Sequence, residues 1–173
     1  MQRSFSRRGR LLTAALGLLL VPVFAGSTTA VGKADIPAVR EATLKYRDLE
    51  AALADDYIEF YVCTEQPGVG TMGQHYANLG LVGDPAVDPL RPEVLVYAPT
   101  RRGGLRLVAV EYVTFQAGQT VLGQAMNTVP AGNRYGLDQF YAKHAWIWQA
   151  NPAGIFADWN PSITCLGEGD NGG

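Results

Sequence analysis

Residues 139–165, QFYAKHAWIWQANPAGIFADWNPSITC, constrain the fold of this chain more than any other stretch. Side chains alternate across a β-strand with period two. Read that way, Phe140, Ala142, His144, Trp146 and Trp148 share one face, and Tyr141, Lys143, Ala145, Ile147 and Gln149 share the other. One face thus sets a histidine in line with two tryptophans. The Asn151-Pro152 and Asn160-Pro161 steps then favour turns, and the run closes on Cys165.

The first 30 residues read as a leader. Arg3, Arg7, Arg8 and Arg10 form a basic start, Leu11 to Ala25 is apolar, and small residues lead to Ala30. That is the build of a secretory signal peptide, with cleavage expected after Ala30, or after Ala25 as the second choice. The segment around Arg7-Arg8 resembles a twin-arginine signal, except that Arg10 stands where an apolar residue is usual. Export by either the general secretory or the twin-arginine route is consistent with this leader. Without residues 1–30 the chain keeps 10 basic against 16 acidic residues, a net charge of about −6. No basic cluster remains, which argues against a nucleic-acid partner. No second apolar run is long enough to span a bilayer, so no membrane association is expected after cleavage. Cys63 and Cys165, an even pair in an exported chain, are expected to form one disulfide. A pair of metal thiolates is the rival reading, without CxxC spacing to support it. Nothing in the sequence sets an oligomeric state.

The organisation is that of one globular domain over residues 31–165, with 166–173 as a loose tail. Val39, Ala42, Tyr46, Leu49 and Leu53 make an apolar stripe at helical spacing, predicting a helix over 35–55 capped by Asp35. Residues 57–62 read as a first strand or as the end of that helix. A short strand at 72–78 sets His75 and Ala77 on one face. The patterns at 93–98 and 105–115 predict a hairpin. Residues 116–138 hold four glycines and lack periodicity, as expected of a lid or binding loop, with a short helix over 121–126 as one option. These elements predict an α+β fold. Its N-terminal helix would pack on a curved, mostly antiparallel sheet, or small open barrel, of four to five strands.

The chemistry-bearing residues are few. The chain has two histidines, His75 and His144, both in predicted strands. Glu111 is the one charge among Leu105, Leu107, Ala109, Val113 and Phe115. A carboxylate on a buried face must be paired, ligated or protonated. If the opposite face is the buried one, Glu111 instead meets water. Two imidazoles and a carboxylate form a 2-His-1-carboxylate set suited to a divalent transition metal: iron, zinc, manganese or copper. The spacing carries no HExxH or HxH signature. The same residues also suit metal-free acid–base work, with Glu111 or Asp158 orienting a histidine. A third reading is a non-catalytic cavity for a small molecule, walled by Tyr76, Tyr112, Trp146 and Trp148. A fourth makes the polar residues purely structural. Neither a GxSxG elbow nor a phosphate-cradling glycine loop is present.

Met72-Gly73-Gln74-His75-Tyr76, His144-Ala145-Trp146-Ile147-Trp148, Asn151-Pro152-Ala153-Gly154 and Asp158-Trp159-Asn160-Pro161 together resemble stretches of small exported bacterial proteins of unknown function. That resemblance implies no activity, cofactor or catalytic residue.

Overall fold

The structure, a computed structural model, describes residues 35–166. The expected leader and nearly all of the expected tail lie outside the described residues. Among the described residues, three short helices accompany a curled antiparallel half-barrel. Its strands are β1 (Tyr57–Gln66), β2 (Gly70–Asn78), β3 (Val94–Pro99), β4 (Leu105–Thr114), β7 (Asn127–Val129) and β8 (Phe140–Ala145), in the order β1-β2-β3-β4-β8-β7. The sheet therefore has six strands rather than four to five. The sixth is β7, which pairs Asn127–Val129 with Ala142–Phe140 along the free edge of β8. Three residues are too few to announce a strand by alternation.

The predicted N-terminal helix is broken in two. α1 (Ile36–Thr43) runs into a 3₁₀ turn at Leu44–Arg47, and α2 (Leu49–Ala54) restarts after Asp48. Two hydrogen bonds explain the break. The Tyr97 hydroxyl donates to the Tyr46 carbonyl at 2.6 Å, and the Glu50 N–H that would have met it turns to the Asp48 carboxylate at 3.1 Å. Asp48 is thus an N-cap inside the predicted helix. Residues 121–126 are not helical either. β5 (Thr120–Val121) and β6 (Gln124–Ala125) form a tight hairpin, with Leu122 and Gly123 both at positive φ, the geometry of a two-residue turn.

Two apolar clusters lie on the two faces of the sheet. The helix face gathers Val39, Tyr46, Leu95, Tyr97, Val110 and Tyr112. The other, called the site face below, gathers Ala77, Val94, Val96, Ala109, Phe140 and Trp146. β4 is buried on both faces from Leu107 to Thr114, which resolves the two readings of Glu111: its face is buried, and so is the opposite one. A bulge intervenes, because Val96 pairs with Ala109 and Tyr97 with Leu107, leaving Val108 over. The bulge reverses the alternation, so Leu107 packs on the helix face while Ala109, Glu111 and Val113 face the site.

Cys63 and Cys165 are joined as a disulfide across 102 residues, tying the C-terminal segment to β1. That segment is also stitched to β2: Thr71 and Asn160 exchange both backbone hydrogen bonds at 3.0 Å. Gly70 makes the close approach feasible. At φ +139° its missing Cβ would lie 2.6 Å from the Asn160 carbonyl carbon.

Candidate metal centre

Three strands deliver the polar residues of the site face. β2 brings His75, β4 brings Glu111 and β8 brings His144. Glu111 and His144 are direct cross-strand partners. His75 comes from two strands away, its register partner in β3 being Val96 and that of Glu111 being Val94. Neighbouring strands stand about 4.8 Å apart, so the long side chains of His75 and Glu111 meet above β3.

The convergence is close. His75 Nε2 lies 3.3 Å from His144 Nε2 and 3.5 Å from a Glu111 oxygen. The other Glu111 oxygen lies 3.4 Å from His144 Nδ1. One donor atom from each residue can be chosen so that all lie within 4.8 Å of one another. All three residues are buried. His144 stacks on Trp146 with ring centroids 5.9 Å apart and planes 13° from parallel. Among the described residues, the buried His75 Nδ1 has no partner at hydrogen-bond distance and angle, so the contacts of Nε2 with His144 and Glu111 orient that ring.

Burial dominates the electrostatics. It pushes Glu111 up to about 8, helped by the charges of Asp158 and Glu93. It lowers His75 to about 4, helped by the Arg134 guanidinium, with the Gly73 backbone pulling weakly the other way. It holds His144 well below the ordinary histidine value, helped by His75 and Lys143. At neutral pH the metal-free cluster is therefore two neutral imidazoles and a carboxyl that keeps its proton. Desolvation disfavours charge here, and a divalent cation would reverse the balance for Glu111.

Asp158 stands just outside the three, with one oxygen 3.9 Å from His144 Nδ1 and its side chain 43% exposed. The Asn127 amide donates to both of its oxygens, at 3.0 and 3.2 Å, and Asn127 in turn accepts from Lys143 at 2.7 Å. Trp146 anchors the loop that carries Asp158: its indole donates to the Ala157 carbonyl at 2.6 Å, and its backbone N–H to Ile155 at 2.8 Å.

The expected aromatic wall is largely elsewhere. Tyr76 packs edge-on against Tyr97 on the helix face, and the Tyr112 hydroxyl donates there to the Pro89 carbonyl. Each is the sequence neighbour of a site residue, and alternation sends it to the opposite face. Trp148 lies there too, donating to Thr43 Oγ1 and flanked by Arg40 and Arg47. The chain leaves the strand after Ala145, and the N–H groups of Trp148 and Gln149 both turn to the carbonyl of the bulged Val108. Of the four expected wall residues only Trp146 shares the site face, as a plate behind His144.

The cavities are lined by other residues. A cleft of about 360 Å³ opens onto Glu111, His144 and Asp158, with Arg134, Tyr135 and Trp159 at its sides. A smaller apolar cavity of about 90 Å³ reaches His75 and Glu111 from the other side, past Phe60 and Phe115. Tyr135 and Phe140 line both, their rings 5.9 Å apart. Arg134 and Tyr135 come from the long connection read as a lid or binding loop. Asn133 builds their turn by accepting from the Tyr135 and Leu137 N–H groups and donating to the Pro130 and Leu137 carbonyls. The Gly132-Asn133 and Gly136 punctuation marked a turn, but nothing in the sequence said that it folds over the histidines.

No protein-family model matches the chain, and no similar curated protein or solved structure was found. The function is therefore read from the site's own geometry.

Proposed function

We propose that this is an exported protein that holds a divalent transition metal on His75, Glu111 and His144 and uses it on a small molecule admitted through the cleft. The observation that carries this reading is the meeting of three buried donor groups from three strands. One donor atom from each residue lies within 4.8 Å of the other two, and His75 Nε2 is 3.3 Å from His144 Nε2 and 3.5 Å from one Glu111 oxygen. Donors arranged tetrahedrally at about 2.1 Å from a common ion stand about 3.4 Å apart, so the two contacts of His75 already match and a small turn of the Glu111 carboxylate would complete the set. Two neutral nitrogens and one oxygen suit iron, zinc, manganese or copper. Three protein ligands leave a coordination position for water or substrate, and the cleft reaches Glu111 and His144. Asp158 would orient His144 through the ring nitrogen left over, the role outer carboxylates serve at metal-bound histidines. The disulfide and the basic, apolar leader support export.

A second reading dispenses with the metal. Glu111, held near 8, has the poise of a general acid at neutral pH, with a neutral histidine as its base partner. Elemental analysis of the mature protein, purified without a histidine tag, separates the two. A stoichiometric metal that disappears in both His75→Ala and His144→Ala is the expected result. Metal-free protein from metal-supplemented medium, unable to take up zinc or iron on titration, would leave the acid–base reading.

A further inference from the structure

Beyond the metal, we infer that the cleft is a binding site for a small organic monocarboxylate, with Arg134 as its anion anchor. Among the described residues, no carboxylate lies within ion-pair distance of Arg134. Its guanidinium lies against the Trp159 ring, 5.8 Å from the centroid, and both residues line the cleft. The Asn133 turn presets the backbone on which it stands. A planar fork of donors suits a carboxylate better than any other small anion except phosphate. Phosphate is disfavoured because Asp158 lines the same cleft and would repel a second negative charge. The rest of the lining is mostly apolar, through Met72, Val129, Pro130 and Phe140. A volume of about 360 Å³ is at the small end for ligand sites. The ligand is thus one negative charge on a compact apolar body.

This inference rests on the cleft and not on the metal, and its test keeps the two apart. Binding of benzoate, acetate and phenylacetate, each beside its neutral amide, is measured by titration calorimetry on metal-free and metal-loaded protein at low salt. At least one carboxylate should bind at least 10-fold more tightly than its amide. Arg134→Gln should erase that preference, while Arg134→Lys keeps part of it. Both variants should still take up metal and should melt close to the wild type, since Arg134 is exposed and is not one of the proposed ligands. The inference is overturned if none of the three carboxylates outbinds its amide, or if the preference survives in Arg134→Gln. A protein that takes no metal yet shows the Arg134-dependent preference would sink the metal reading and leave this one standing.

Discussion

His75 and His144 are 69 residues apart in the chain, yet their Nε2 atoms lie 3.3 Å from each other. Two imidazolium ions could not share that distance. Two neutral rings can share a proton in a hydrogen bond or a cation between lone pairs. The burial that keeps both rings neutral keeps both nitrogens available. Glu111 closes the triangle, and its exchange of a proton for a metal ion is the event on which the proposed function turns.

Glu111→Gln removes the one anion among the donors. Metal affinity should fall by more than the roughly 10–100-fold that outer partners cost. The metal-free variant should fold normally, because the wild-type carboxyl is already neutral at pH 7. Competition with a chromophoric chelator measures the first and thermal melting the second.

Asp158→Asn should weaken metal binding about 10–100-fold and shift the melting temperature little, since that side chain is 43% exposed. An unchanged affinity would remove Asp158 from the site.

The metal-free protein should lose stability on both sides of a plateau. Glu93 and Glu111 are raised to about 7 and about 8. The folded state holds those protons after the unfolded chain has released them, so stability falls as pH rises through those values. The histidines are lowered, so the unfolded chain binds protons first and stability falls as pH drops below about 6.5. Between pH 4.5 and 6.5 the two trends oppose each other. From about pH 6.5 to 8.5 the two carboxyls together cost on the order of 2–3 kcal/mol. Saturating metal should remove most of that alkaline loss, because a bound cation favours ionised Glu111. Urea denaturation from pH 4 to 9, with and without metal, checks both statements.

Free-thiol titration of the unfolded, unreduced protein should find no thiols at Cys63 and Cys165. Reduction should lower stability by up to about 4.7 kcal/mol, the loop-closure value for a ring of this size.

Gly70→Ala should be destabilising and should also weaken metal binding. The added methyl would meet the Asn160 backbone at 2.6 Å. Moving Asn160 displaces the loop that holds Asp158 beside His144. Parallel melting and metal titration of this variant test the link.

Glu111 and His144 are legible because each breaks the pattern of its own strand, and His75 because it is the other of the chain's two histidines. A charge in an apolar run and a histidine in line with tryptophans are visible without a structure. The aromatic wall departs from expectation for a reason contained in the period-two rule: Tyr76 and Tyr112 adjoin His75 and Glu111 and so point to the opposite face. Trp148 was hidden by a different cause, the departure from the strand after Ala145 toward the Val108 bulge. No local pattern announces a bulge that lies 40 residues upstream of the segment it captures. The helix break at Asp48 likewise depends on Tyr97, a partner 51 residues from Tyr46. Arg134 and Tyr135 sit in a segment with turn residues but no periodicity, and only the tertiary fold puts them over the site.

The cross-link between Cys63 and Cys165 encloses all three proposed ligands. A protease that nicked the exposed turn at 131–134 would leave His75 and Glu111 on one fragment and His144 on the other, and the two would still be one molecule. After such a cut, the centre would outlive the continuity of its own backbone until a reductant arrived.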